Sequence, residues 1–287
     1  MTIKNPIEWS GARFVDAAHF VQAAGRSIHH VQDTIHAPEP AVRRIRVADL
    51  WDALAKGIDD FGAYRSDVLF LCTIYPVIGL ILARFAGGLD LIPLLFPLAS
   101  GFAIVGPFAA VGLYEMSRLR EKGVEARWMN AFDVFKAPAI GAISVLGLLL
   151  IVIFLAWIAT AWAVYMRTLG PAMPVSIAAF LHDVFRTPEG QTLIIVGMGT
   201  GFLFALLAMT ISLVSFPLLL DRDVGMGTAI ATSIKVVEAN PGTMALWGLI
   251  IAVLLVLGSI PLLLGLAIVF PVLGHATWHL YRKVLPR

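Results

Sequence analysis

The sequence has a single cysteine, Cys72, which excludes an intrachain disulfide, a C-x-x-C redox pair and a thiolate zinc cluster. Charge is also scarce: Asp, Glu, Lys and Arg make up 14% of the chain, whereas soluble domains carry about 25%. The 21 lysines and arginines are spread through the polar segments and form no basic stripe. The sequence therefore lacks the electrostatic footprint of a nucleic-acid-binding protein and predicts no nucleic-acid partner.

Apolar residues are correspondingly abundant. They make up 59% of the 287 residues, and the mean hydropathy is +0.86, which is more apolar surface than a soluble domain can bury. A bilayer core about 30 Å thick needs roughly 20 apolar residues of helix to cross it. Lipid-facing backbone must also satisfy its own hydrogen bonds, so the long apolar runs predict membrane-spanning α-helices. The lipid bilayer is the first partner that the composition predicts.

The last apolar run, residues 239–281, is too long to be one span. At about 1.5 Å per residue, a helix of this length would reach about 64 Å, twice the hydrocarbon thickness. Gly258, Ser259 and Pro261 lie near its middle, where a glycine followed by a proline can turn a helical hairpin. Dividing the run there gives six predicted spans, at about 68–86, 91–116, 139–166, 191–218, 243–258 and 261–281.

The distribution of basic residues predicts the orientation, because lysine and arginine accumulate on the cytoplasmic side of short loops. With six spans and a cytoplasmic N-terminus, 18 of the 21 lysines and arginines fall on the cytoplasmic side, and Arg84, Arg167 and Arg186 remain outside. A five-span arrangement would move the basic C-terminal residues to the outside. The sequence therefore predicts six spans with both termini in the cytoplasm.

Three cytoplasmic segments, near residues 47–61, 124–136 and 226–238, have the pattern of an amphipathic helix lying just before a span. In the first, the apolar stripe comprises Val47, Leu50, Trp51, Leu54, Ile58 and Phe61. The predicted fold is thus an all-α polytopic membrane bundle of six transmembrane helices in three hairpin repeats, each preceded by a cytoplasmic interfacial amphipathic helix. Such repeats can surround a central path or simply form a stable bundle.

Ahead of the membrane domain, predicted at 43–284, residues 1–42 are expected to form a cytoplasmic N-terminal segment and linker that is partly disordered. Aromatic and basic side chains near the cytoplasmic interface are expected to anchor the helices there. These predicted interfacial anchors are Trp51, Phe61, Trp128, Phe135, Trp278, Tyr281 and Arg282.

The sharpest candidate for chemistry is the pair His275 and His279 in the sixth predicted span. Spaced i and i+4, they project from one helix face, where they could hold a metal ion, ligate haem iron or hydrogen-bond a quinone. The neighbouring Trp278, Tyr281 and Arg282 favour the alternative of an interfacial anchor. No catalytic constellation stands out, so the sequence predicts a protein that is not an enzyme and that has no assigned metal or cofactor.

Two stretches of the chain, VRRIRVADLWDALAKGIDDF and PVLGHATWHLYRKV, flank the hydrophobic spans. This pattern, over about Ala41 to Val284, resembles a family of uncharacterised bacterial integral membrane proteins, a domain of unknown function. The resemblance implies a bacterial inner (cytoplasmic) membrane location and no established activity. Some members are labelled as similar to cytochrome c oxidase subunit I. A haem–copper centre needs several intramembrane histidines, however, and here only His275 and His279 lie in a predicted span.

The predicted spans contain almost no ionisable residue at mid-depth, which pumps and ion-coupled carriers need. Together with the interfacial helices, which could dock partners, this favours an accessory or assembly subunit that associates with other membrane-protein subunits. The first alternative is a pore or carrier for a small or lipidic solute, which requires a cavity between the repeats. The second is haem, metal or quinone binding at His275 and His279. The sequence leaves these alternatives open.

Overall fold

The computed structural model describes residues 40–72, 92–124, 128–170, 174–261 and 263–286. These ranges fold into α-helices with two 3₁₀ helices and contain no strand, so the all-α prediction is confirmed for them. The α-helices are α1 (Val47–Cys72), α2 (Leu95–Ala109), α3 (Val111–Glu121), α4 (Ile140–Thr168), α5 (Ile177–Arg186), α6 (Pro188–Ser212), α7 (Ser215–Asp221), α8 (Met226–Ala239), α9 (Pro241–Ser259) and α10 (Leu266–Val284). The 3₁₀ helices are Ile92–Leu94 and Trp128–Lys136.

Four helical stretches of the described ranges are long and apolar enough to cross a membrane: Ile92–Glu121, Ile140–Thr168, Pro188–Asp221 and Pro241–Ser259. They coincide with the second to fifth predicted spans. The first predicted span lies outside the described residues from residue 73 onward, as does the N-terminal segment up to residue 39. The sixth corresponds to α10, which is not one of the four and carries two histidines and two basic residues in its second half.

Two of these four stretches are interrupted helices. Pro107 has no N–H to complete the helical ladder, and the helix is interrupted three residues later at Ala110. Between α6 and α7, the hydroxyl of Ser233 accepts the N–H of Val214 at 3.4 Å and donates to the carbonyl of Thr210 at 2.7 Å. α8 thus satisfies backbone groups at the break, which is how an interrupted helix persists at membrane depth.

The three predicted interfacial helices take three different forms. The first is continuous with the start of the first predicted span, because α1 runs unbroken from Val47 to Cys72. The second is a 3₁₀ helix, Trp128–Lys136, where an α-helix was expected; it ends just before Pro138, which cannot donate a helical N–H. The third, α8, is an α-helix as predicted.

α1 and α10 pack closely through small residues. A Cβ built on Gly57 would lie 2.7 Å from the Cβ of Ala276 and 2.8 Å from the carbonyl oxygen of Val272, so only glycine permits this approach. The buried face of α1 includes Leu50, Ala53, Gly57 and Asp60, whereas Val47, Trp51 and Ile58 of the predicted apolar stripe are exposed. The predicted apolar stripe is therefore divided, because Leu50 and Leu54 are buried against protein while its other side is exposed.

The predicted helix break after Gly258 is confirmed. α9 ends at Ser259, α10 begins at Leu266, and a Cβ on Gly265 would lie 2.7 Å from the carbonyl oxygen of Gly258. The two helices therefore meet at their ends with backbone nearly touching backbone. Leu263, between them, has a φ of 66°, a left-handed conformation that costs a leucine energy and is set by the tightness of the turn.

Candidate functional site

A cavity of about 380 Å³ lies between α2 and α3 on one side and α6, α9 and α10 on the others. This volume is within the range of about 300–1,000 Å³ that is typical of small-molecule sites. Small residues from different helices create the space, among them Gly106, Ala205, Ala252 and Gly274. We call this space the apolar cavity.

The apolar cavity is elongated along the helices. Its lining extends from Ala245 to Leu255 on α9 and from Phe202 to Leu213 along α6 and the break that follows it. At 1.5 Å per residue, these stretches correspond to about 15 Å of helix. The space therefore has the proportions of a chain that lies parallel to the helix axes.

The two aliphatic hydroxyls that border the apolar cavity are already bonded to their own helices. Ser212 donates to the carbonyl of Ala208 at 2.6 Å, and Thr277 donates to that of Leu273 at 2.7 Å. Most of the remaining lining is Ala, Gly, Leu, Ile and Phe. The walls thus offer van der Waals contacts to an apolar occupant far more than hydrogen bonds to a polar one.

In the part of the chain that the structure describes, the apolar cavity opens to the outside of the bundle between α6 and α9. Phe202 and Leu249 line it and yet have 65% and 58% of their surface exposed. Both residues belong to helices that are apolar enough to cross a membrane. The opening is therefore bordered on both sides by apolar helices.

A buried polar cluster connects α1, α3 and α10 beside the apolar cavity. It consists of Asp60, Ser117, Arg120, His275 and His279. The Oδ2 atom of Asp60 accepts from Ser117 at 2.6 Å and from Nε2 of His279 at 2.8 Å, and Oδ1 pairs with Arg120. Nδ1 of His275 lies 2.8 Å from the Ser117 hydroxyl. Asp60 is therefore the centre of this buried polar cluster.

The hydrogen bonds fix the tautomer of His275. The single proton of Ser117 goes to the Asp60 carboxylate, so Nδ1 of His275 must donate its own proton to the Ser117 oxygen. Nε2 of His275 is buried, and the backbone of Leu113 lies next to the ring. The resulting relay runs from His275 through Ser117 to Asp60.

Asp60 remains ionised at physiological pH. Burial raises the pKa of its carboxyl, but the hydrogen bonds from His279, Ser117 and Arg120 outweigh burial and lower that pKa from 3.8 to about 2. Because the folded-state pKa is depressed, the stability from this charge is present above pH about 3.8 and is lost as the pH falls toward 2.

The buried polar cluster supports the wall of the apolar cavity. Ser117 follows the lining residue Tyr114 by one turn of α3, and His275 follows the lining residue Gly274 on α10. A Cβ on Gly274 would lie 2.6 Å from Cδ1 of Leu113, so α3 and α10 are in direct contact at this level. The cluster thus holds together the two helices that form one side of the cavity.

Three of the predicted anchors lie inside the protein, where they join helix ends. Trp278 and Tyr281 are buried and donate to Glu121 at 3.2 Å and to Asp221 at 2.8 Å. Arg282 forms ion pairs with both of these carboxylates, at 3.0 and 3.2 Å. These contacts tie α10 to α3 and α7 at one end of the bundle.

The other predicted anchors differ in exposure. Trp51 and Phe135 are 59% and 65% exposed, as contact with a membrane interface requires, and Phe61 is half-buried against the core. The side chain of Trp128 lies outside the described residues. Anchoring by these side chains stays a prediction.

The structure brings His275 and His279 together on one face, as their spacing predicts, but both rings turn toward Asp60. Nε2 of His279, which a metal would use, already donates to that carboxylate at 2.8 Å. In the described part of the chain, no group of three or more His, Cys, Asp or Glu side chains is placed to hold a metal ion. Binding of haem, metal or quinone by the two histidines stays a prediction.

Sequence reasoning missed Asp60 and Ser117. The apolar stripe of the first amphipathic segment leaves Asp59 and Asp60 on the opposite, polar face, yet Asp60 follows Gly57 by three residues and so shares the face of closest packing. Ser117 gave no signal, because its partners are 57 and 158 residues away. The only local indication that Asp60 is buried was its position three residues after Gly57 on the same face of α1.

Comparison with known proteins finds a family model that matches part of the chain. Residues 95–221 match the family model described as "Predicted integral membrane protein (DUF2189)", a family of unknown function. No curated protein and no solved structure matches the chain. The match and the several apolar helices identify an integral membrane protein, and the matched region spans α2 to α7, including two walls of the apolar cavity.

Proposed function

We propose that this integral membrane protein is a carrier for a lipidic solute, of which it holds one hydrocarbon chain in the apolar cavity. The supporting observation is the cavity itself: about 380 Å³, elongated, lined mainly by apolar residues and open between the apolar helices α6 and α9. A pore or carrier for a small or lipidic solute requires such a space, whereas a dry, close-packed interior would exclude it.

Filling the cavity is favourable for a physical reason specific to membranes. Lipid is as apolar as the cavity wall, so a chain that enters gains little from the hydrophobic effect. The wall, however, loses dispersion contacts wherever it faces empty space, and an occupant restores them. Shape therefore determines the affinity, and a linear chain fits the elongated lining better than a ring system.

Ala252→Phe tests this proposal. Ala252 lines the cavity, so the aromatic ring is expected to take the space of the occupant and to weaken binding of a photoactivatable fatty acid about tenfold. Val253→Phe is the matched control, because Val253 is the next residue on α9, is exposed and does not line the cavity. Labelling per mole of purified, correctly folded protein is measured for both variants in nanodiscs.

Equal labelling of Ala252→Phe, Val253→Phe and wild type would refute the cavity as the binding site. An accessory or assembly role with other membrane-protein subunits stays a prediction, and it does not depend on the occupant of the cavity. Subunits that copurify with both variants would support that role independently of the carrier proposal.

The proposal includes the membrane arrangement predicted from sequence: six spans in three hairpin repeats, in a bacterial inner membrane, with both termini cytoplasmic. The 18 basic residues on one side support the orientation. The close contact of Gly258 with Gly265 supports a reversal of the chain between α9 and α10. α10 then returns through the bilayer with its polar second half near the cytoplasmic interface.

Cysteine labelling tests the orientation. In a Cys72→Ser background, Val175→Cys lies between α4 and α5 on the predicted outer side, and Asp223→Cys lies between α7 and α8 on the predicted inner side. A membrane-impermeant maleimide added to right-side-out vesicles is expected to label the first and to reach the second only after permeabilisation. The reverse pattern would invert the orientation, and labelling of both from one side would remove a span between them.

A further inference from the structure

A short basic segment before α1 is fixed on the protein surface. Residues 41–46 have no regular secondary structure, and Ile45 is buried with its N–H donating to Oδ1 of Asn240 at 2.8 Å. The N–H of Arg43 donates to the carbonyl of Val284 at 2.8 Å, and Nδ2 of Asn240 donates to the carbonyl of Arg43 at 3.2 Å. These three hydrogen bonds hold the backbone of the segment against α10 and the end of α8.

Three arginines project from this fixed segment. Arg43, Arg44 and Arg46 are all exposed, and in the described ranges neither Arg44 nor Arg46 forms an ion pair with a carboxylate. The nearest acid, Asp49, is used otherwise: it accepts the N–H of Arg46 at 2.9 Å and pairs with Lys283 at 3.2 Å. The guanidinium groups of Arg44 and Arg46 therefore keep an uncompensated positive charge.

An apolar surface continues from the arginines along α1. Val47, Trp51 and Ile58 are 45%, 59% and 58% exposed and lie four and seven residues apart, which places them along one side of the helix. Cationic side chains beside an exposed tryptophan and aliphatic residues are typical of a helix at the headgroup level of a membrane. A purely aqueous partner, such as a nucleic acid, would leave this apolar surface in water.

We propose that the segment 43–46 and the exposed stripe Val47, Trp51 and Ile58 form a binding surface for anionic phospholipid headgroups. The guanidinium groups of Arg44 and Arg46 bind headgroup phosphates with paired N–H donors, and Trp51 inserts beside the acyl chains. Asp49 accepts the N–H of Arg46 and places a negative charge in the first turn of α1, so binding of the headgroup rests on the arginine side chains. This surface lies on α1, does not line the apolar cavity, and is independent of the cavity's occupant.

The test compares Arg44→Gln/Arg46→Gln with Arg167→Gln/Arg186→Gln. Both double variants remove two exposed arginines. In the control, Arg167 lies near the end of α4 and Arg186 is the last residue of α5. Dioleoyl phosphatidylglycerol and dioleoyl phosphatidylcholine are titrated into the full chain in micelles, and bound lipid is measured by native mass spectrometry. At about 1 kcal/mol for each arginine at an anionic surface, the first variant is expected to bind phosphatidylglycerol about 30-fold more weakly.

The binding of phosphatidylcholine is expected to change little in either variant, and the control is expected to keep the phosphatidylglycerol affinity of wild type. Inorganic phosphate added at millimolar concentration distinguishes headgroup binding at a lipid surface from capture of a free anion. Wild-type affinity in Arg44→Gln/Arg46→Gln, equal loss in the control, or full competition by inorganic phosphate would each overturn the proposal. Trp51→Ala is a second arm, in which the preference for anionic lipid persists but total lipid binding falls.

Discussion

Replacing Asp60 with alanine is expected to lower the free energy of unfolding by about 1–3 kcal/mol, because it leaves buried hydrogen-bond donors without their acceptor. Arg120 and His279 would lose the carboxylate they share, and Ser117 would lose its acceptor. The loss is measured by SDS titration in mixed micelles with helix content followed by circular dichroism. At neutral pH the full effect is present, since the depressed pKa keeps Asp60 ionised.

Asp59→Ala is the matched control for this prediction. Asp59 also pairs with Arg120, at 2.9 Å, but its side chain is 74% exposed. An exposed ion pair contributes about 0–1 kcal/mol, so the control is expected to lose little stability. Similar losses in the two variants would mean that Asp60 is solvated in the membrane-embedded protein and that the buried polar cluster does not form there.

Gly57→Ala and Gly62→Ala are expected to change stability in opposite directions. At Gly57, the added methyl group overlaps Ala276 and the backbone of Val272, and overpacking of this kind costs about 1–3 kcal/mol. At Gly62, five residues further along α1, a Cβ has nothing within 4 Å, so alanine gains up to about 1 kcal/mol of helix propensity. The two variants add the same methyl group to α1 and differ only in the neighbouring atoms that this group contacts.

The Gly57 substitution also tests whether the close packing of α1 on α10 is coupled to the hydrogen bonds of Asp60. Asp60 lies one turn beyond Gly57, so moving α1 away from α10 lengthens its contacts with His279 and Ser117. The double variant Gly57→Ala/Asp60→Ala is therefore expected to lose less than the sum of the single losses. A stabilising effect of Gly57→Ala, or strict additivity with Asp60→Ala, would contradict the close packing of α1 on α10.

The candidate spans were predictable where the length and hydropathy of one continuous segment determine the structure. Residues 139–166 were predicted and Ile140–Thr168 is observed, because an uninterrupted apolar run with charges at both ends leaves one solution in lipid. The break after Gly258 was predictable for the same reason, since one helix of that length would be twice the thickness of the bilayer. α10 is not among the four stretches that are apolar enough to cross a membrane, because its second half is polar and pairs with carboxylates of other helices.

The candidate site was not predictable from the sequence, because it depends on which faces meet. The apolar stripe of α1 gave no indication that Leu50 and Gly57 contact protein while Trp51 does not. Asp60 and His279 are 219 residues apart, and no local spacing connects them. The apolar cavity arises from glycines and alanines on different helices, each of which is unremarkable alone. Only the spacing of His275 and His279 was informative. It identified the face of α10 that carries both rings, but not the contacts of these rings with Ser117 and Asp60.

Occupancy of the apolar cavity is tested most directly by cryo-electron microscopy of the full chain in native nanodiscs. The carrier proposal predicts elongated density, parallel to the helices, between Gly106 of α2 and Ala252 of α9, and its loss in Ala252→Phe. A cavity that is empty in wild type, or closed by direct packing of α6 on α9, would contradict the proposal.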